Sequence, residues 1–193
     1  VGSEMCIRDR FSSWLATATS YSTNNFPMLP FYIYYSMFGH QRIGDLAWAA
    51  GDMRARGFLL GGTAGRTTLA GEGLQHQDGH THVFANVIPN CRTYDPTFDY
   101  ELAVIIQHGL QEMYVEQKDL HYYITVMNEN YHHPAMPKGC ETGIIKGMYL
   151  LQQAKSKKPK VQLLGSGTIL REVMHAAETV SYTHLRAHET CGH

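Results

Sequence analysis

FPMLPFYIYYSMFGHQRIGDLAWAAGDMRARGFLLGG, residues 26–62, decides the fold. Aromatic and β-branched residues crowd between Phe26 and Phe38 in the manner of a buried strand, with prolines before them and Gly39 after them. Ile43, Leu46, Ala47, Ala50 and Met53 then recur at helical spacing, and Gly57 is a natural stop. FLLGG, residues 58–62, is a short apolar strand. A strand, a helix and a second strand in which both strands are apolar on both faces predict a parallel sheet covered on each side. Alternation within the first strand sends Tyr32 and Tyr34 to one face and Ile33 and Tyr35 to the other. Its last residues emerge at the carboxyl end, where open α/β sheets bind ligands.

Outward from this unit, GGTAGRTTLAGEGLQHQDGHTH, residues 61–82, holds six glycines, three histidines and two acids and has no apolar period. Such a stretch predicts a functional loop laid over the sheet. It presents Glu72, His76, Asp78, His80 and His82. HVFANVIP, 82–89, then reads as a strand, and residues 95–117 as a helix begun by Asp95 and Pro96, with Leu102, Ile106, Leu110 and Met113 inward. HYYITVM, 121–127, is a further strand, and FSSWLATATS, 11–20, the end of a helix. The polar, proline-containing residues 128–143 mark a domain boundary. Beyond it, 143–153 are expected to be helical, and KVQLLGSGTILREVMHAAET, 160–179, reads as a strand, a turn and a helix from Thr168. The expected fold is α/β, a mostly parallel sheet with helices on both faces, followed by a truncated second α/β unit.

Composition narrows the functional classes. The 193 residues are 44% hydrophobic, enough for a substantial core. A net charge of -1 and a pI near 6.9 give no basic footprint for nucleic acid or an anionic membrane. No apolar run approaches the roughly 18 residues of a spanning helix, so a soluble, cytoplasmic protein is expected. Cys91 and Cys140 have neither metal spacing nor a disulfide framework around them. The ends, VGSEMCIRDR and VSYTHLRAHET, resemble translated sequencing-adapter read-through; residues 1–10 and 180–193 are therefore expected to be non-native.

Two chemistries are open to the loop. His76, His80 and His82, completed by Glu72 or Asp78, form a candidate metal set, although H-x-x-x-H-x-H in a loop is not a tight helical ligand motif. Alternatively, a histidine held at a substrate gives or takes a proton near neutral pH. At the carboxyl end of the first strand, the ring of Phe38 offers a flat face and Arg42 a charge for a carboxylate.

The wording of GRTTLAGEGLQHQDGH, together with STNNFPMLPFYIYYSMFGHQR, IPNCRTYDP, YYITVMNENYH and KVQLLGSGTILREV, resembles the homodimeric, thiamine diphosphate-dependent pyruvate dehydrogenase family of the transketolase-like superfamily. The resemblance implies that residues 11–136 are the pyrimidine-binding domain and 137–179 a linker and the start of a C-terminal domain. It places the cofactor's pyrimidine against Phe38, and turns Tyr35, Arg42 and His76 towards the thiazolium and bound pyruvate. His76 would assist proton transfers, Tyr35 and Arg42 would orient the reacting group, and Glu72 would be a partner at the cofactor or the dimer interface. The family's reaction decarboxylates pyruvate and passes the two-carbon unit to the lipoyl domain of dihydrolipoyl acetyltransferase. Magnesium and the diphosphate would be held outside these residues, between subunits of a homodimer. The family's activating glutamate has no counterpart here: its place falls at Ile7, so the chain as written is expected to be inactive. Three other readings remain: another transketolase-like 2-oxo acid dehydrogenase, a non-catalytic metal-binding module on the three histidines, and a pairing or scaffold domain.

Overall fold

Residues 2–65, 73, 76–153 and 161–189 are described by the computed structural model. Along the chain run α1 (Gly2–Ala18), α2 (Ser20–Thr23), β1 (Phe31–Tyr35), α3 (Ser36–Asp52), β2 (Phe58–Gly62), α4 (Thr81–Asn86), β3 (Cys91–Tyr94), α5 (Asp99–Leu110), β4 (His121–Thr125), α6 (Glu141–Ile145) and α7 (Gly167–Glu189). One π-helical turn, Gln111–Val115, closes α5. The strands form one parallel sheet in the order β1-β2-β4-β3. β2 and β4 are central, with Phe58 opposite Tyr122 and Leu60 opposite Ile124.

Strand periodicity divides the apolar residues between two cores. Leu59 and Tyr123 face one, with Phe11, Trp14, Ile43, Ala47 and Ala50 of α1 and α3. Phe58, Tyr122 and Ile124 face the other, with Ile105, Met113, Cys140 and Ile144 of α5, its π turn and α6. Each fully buried side chain of this kind contributes about 1.5–3 kcal/mol, so the two helical layers, not strand propensity, hold the sheet. All five residues of β4 are buried, as its two-sided apolar sequence predicts.

Several expectations are corrected. The first strand stops at Tyr35, and Ser36–Phe38 are already helical. Gly39 explains the abrupt turn, because a Cβ there would stand 2.1 Å from the Tyr34 ring. Only a glycine lets the first turn of α3 lie on β1. The helix stops at Asp52, so Met53, counted in its apolar spacing, lies just beyond it and is exposed. HVFANVIP is not a strand. Its first part is α4, from which Ala85 alone of the apolar residues points inward while Val83, Phe84 and Val87 face out. The strand lies later, at Cys91–Tyr94, a polar-looking run with little β signature. The second helix begins at Asp99, four residues after the expected start; the Glu101 carboxylate accepts the N–H groups of Thr97 (2.5 Å) and Phe98 (2.8 Å).

Residues 143–153 yield only the short α6. Residues 161–166 form no strand: Val161, Leu163 and Leu164 are exposed, with no ladder partner beside them among the described residues. α7 follows from Gly167, one residue before the expected start.

Candidate functional site

The site gathers at the carboxyl end of β1. Tyr35 is the last strand residue and caps α3; Phe38 and Arg42 lie one turn apart on that helix. Arg42 Nη1 donates to the carbonyl of Phe38 at 3.1 Å, and its guanidinium sits 5.1 Å from the centre of the Phe38 ring. That is cation–π range, and the charge is held beside a flat apolar face.

The loop brings His76 onto the same spot. Its imidazole meets Phe38 edge to face, centroids 4.9 Å apart and planes 85° apart, and Tyr35 likewise at 5.8 Å and 74°. His76 donates its backbone N–H to the carbonyl of Gly73 at 2.9 Å, a tight local turn. The half-buried histidine and the exposed Tyr35 thus lie beside one aromatic face with a cation at its edge. Tyr35, Phe38, Arg42 and His76, each singled out in the sequence, are brought together. Glu72 lies outside the described residues.

The other loop histidines go elsewhere. His82 Nε2 meets Thr125 Oγ1 at 3.2 Å, and its ring packs on Tyr123 at 5.3 Å. His80 is exposed before α4. Among the described residues no three histidine, cysteine, aspartate or glutamate side chains stand together as a metal site, so the metal-module reading lacks its geometry.

A second polar group, which sequence reasoning missed, lies beneath the loop. The Asp78 carboxylate accepts the N–H groups of His80 and Thr81 through Oδ1, both at 3.1 Å. Burial pushes the Asp78 pKa up, but the hydrogen bonds its carboxylate accepts, those from the N–H groups of Thr81 and His80 among them, outweigh this and leave it below the usual carboxylate value. Thr81 Oγ1 also donates to the carbonyl of Ser36 at 3.3 Å. Nearby, Thr125 Oγ1 donates to Asp95 Oδ1 at 2.6 Å and Ser166 Oγ to Asp95 Oδ2 at 2.8 Å. Asp78, His82, Asp95, Thr125 and Ser166 line a cavity of about 90 Å³ at the sheet's carboxyl edge. His40, packed on Tyr123 with Nδ1 3.3 Å from the Tyr34 hydroxyl, has a pKa lowered by burial. The hydroxyl residues could have been suspected only from their places at strand ends.

Residues 4–134 match the sequence profile of the pyruvate dehydrogenase E1 component middle domain. The chain is similar to the pyruvate dehydrogenase E1 component of Pseudomonas aeruginosa, 73% identical over 168 residues that make up 86% of this chain and 19% of that protein. It is similar to that of Escherichia coli strain K12, 66% identical over 170 residues, 88% of this chain and 19% of that protein. It therefore spans about a fifth of the length of these relatives. In structure it resembles a transketolase from Campylobacter jejuni, with a TM-score of 0.58 at 18% identity over 73% of this chain and 21% of that one; this supports the fold alone.

Proposed function

Because the chain belongs to the pyruvate dehydrogenase E1 component middle domain family, we propose that it forms the pyrimidine-holding half of a thiamine diphosphate site in an enzyme that decarboxylates pyruvate. The observation that carries this reading is the meeting of His76 with both Tyr35 and Phe38 at the end of β1. A flat aromatic face flanked by a cation and a proton-carrying side chain suits a planar heteroaromatic ring beside a 2-oxo acid. When bound, thiamine diphosphate supplies a carbon nucleophile for the keto group and a sink for the electrons left as carbon dioxide departs.

The chain's own residues do the rest. Phe38 would hold one face of the pyrimidine. Arg42, anchored through the Phe38 carbonyl, places its guanidinium for the carboxylate of pyruvate, a pairing that planar charge-assisted hydrogen bonds favour. Tyr35 presents its hydroxyl from an exposed position on the substrate side and orients the keto oxygen. His76, kept edge-on by two rings, moves a proton to or from that oxygen, where general acid/base help gives on the order of 100-fold or more. Glu72 is assigned to the cofactor or to a subunit interface.

The described residues offer no donor set for magnesium, which we assign, with the diphosphate, to the remainder of the longer protein. That protein is read as a cytoplasmic homodimer that passes its two-carbon unit to the lipoyl domain of dihydrolipoyl acetyltransferase. No described helix is long and apolar enough to cross a membrane.

The test uses a full-length E1 component carrying residues 11–179 of this chain. His76→Ala should lower kcat for pyruvate decarboxylation on the order of 100-fold with little change in fold stability. Activity within twofold of the parent would overturn the reading.

A further inference from the structure

His76 meets the Tyr35 and Phe38 rings from the loop. Two residues beyond His76, Asp78 begins a tether between the loop and the start of α3. Asp78, Thr81 and Ser36 are 6%, 2% and 0% exposed, so this polar joint is buried. Asp78 Oδ1 gathers the N–H groups of His80 and Thr81 at 3.1 Å each, turning the chain into α4. Thr81 Oγ1 then donates to the carbonyl of Ser36 at 3.3 Å. Ser36 is the residue between Tyr35, the end of β1, and the first turn that carries Phe38. The joint therefore ties the histidine loop to the backbone position from which both aromatic partners of His76 depart.

We propose that Asp78 and Thr81 are positioning residues for the decarboxylation: they clamp the loop to Ser36 and so set the approach of His76 to the ring pair. This rests on the functional reading above and deepens it. Both residues act through His76. The charge of Asp78 matters because an ionised oxygen holds two N–H donors more firmly than a neutral one. Its lowered pKa keeps that charge in place at neutral pH. An error of about 1 Å in the placement of a catalytic group costs up to roughly 100-fold in rate, so a joint of three hydrogen bonds has leverage on turnover well beyond its contribution to stability.

A double-mutant cycle tests the proposal in a full-length, cofactor-loaded E1 component carrying residues 11–179. Asp78→Asn and Thr81→Val are each expected to lower kcat on the order of tenfold to 100-fold while KM for pyruvate changes less. Thr81→Ser, which restores the hydroxyl, should return kcat to near the parent. In a His76→Ala background, Thr81→Val should cost less than about twofold, because the residue it positions is gone. Equal losses in the two backgrounds, or no rescue by serine, would make the joint merely structural and overturn the proposal. If Asp78→Asn yields no folded enzyme, the threonine pair and the cycle still decide it. A fully active His76→Ala parent would instead sink the functional reading, a result distinct from additivity.

Discussion

His76 and Phe38 meet edge to face, their ring centroids 4.9 Å apart, although one sits in a glycine-rich loop and the other on the first turn of α3. Edge-to-face geometry puts the positive rim of one ring on the negative face of the other, worth about 0.5–1.5 kcal/mol beyond area burial. Tyr35 beside them stays exposed.

Phe38→Ala should weaken thiamine diphosphate binding in the full-length protein roughly fivefold, equivalent to about 1 kcal/mol of lost stacking. Phe38→Tyr should bind as the parent does. Titration of the apo-protein with cofactor, followed by calorimetry, reads both; equal loss in the two variants would show that the ring face is not the contact.

Ile7 occupies the place where the family resemblance expects an activating glutamate. Its carbonyl accepts the Tyr32 hydroxyl at 3.2 Å, and its side chain packs on the core between the sheet and α1 and α3. A full-length enzyme carrying residues 2–179 should therefore turn over pyruvate at background rate. Ile7→Glu should raise that rate by on the order of 100-fold, the usual worth of a placed acid or base. Steady-state decarboxylation of both proteins decides it, and robust turnover with Ile7 in place would contradict the assignment.

Gly109→Ala sets helix propensity against packing. In an open helix the change would stabilise by about 1 kcal/mol. Here the new Cβ would stand 2.8 Å from Phe58 Cε1 and 3.0 Å from Tyr122 Cε2, in the layer between α5 and the central strands. Overpacking costs about 1–3 kcal/mol, so a net loss of about 1 kcal/mol is expected in urea denaturation of the chain. A gain would show that α5 can shift outward freely.

His121 makes stability depend on pH. The ring is fully buried, packs edge-on against Trp14 at 6.2 Å and has its pKa lowered to about 4 from 6.5, mainly by burial and further by His40. The unfolded chain takes up this proton first as the solution is acidified. The stabilisation is thus complete above about 6.5 and is lost as pH falls towards 4, at up to roughly 1.4 kcal/mol per pH unit. His121→Phe should flatten the fall in urea midpoint between pH 7 and pH 5; an unchanged slope would rule this histidine out as its source.

Glu112 is buried at the π turn, where its carboxylate accepts the Tyr122 hydroxyl at 2.5 Å and the Lys118 ammonium at 2.8 Å. Glu112→Ala leaves the phenol of Tyr122 without its acceptor and should cost about 1–3 kcal/mol. Glu112→Gln, which keeps an acceptor, should recover part of it in the same denaturation assay.

The α/β class, the parallel sheet, and the strands Phe58–Gly62 and His121–Thr125 were legible because residues buried on both faces leave a continuous apolar run. The run at Phe31–Tyr35 was legible as a strand, but neither its end nor its place at the sheet edge was: only Tyr34 is buried, and Phe31, Ile33 and Tyr35, expected in a buried strand, are exposed. Gly39 permits a helix to begin against Tyr34, a steric fact about two chain segments that no local pattern encodes. α4 was misread for a related reason: its first turn is organised by Asp78, while its apolar residues face outward. The sequence also singled out Tyr35, Phe38 and Arg42 by their side-chain chemistry at the end of a strand, and His76 among three loop histidines by the family resemblance. Only the tertiary structure decided that these four meet at one spot, that His82 turns away to Thr125, and that Asp78 and Thr81 tether the loop to Ser36. Such choices are made by the packing of one sheet edge against one loop, a long-range arrangement that spacing along the chain does not specify.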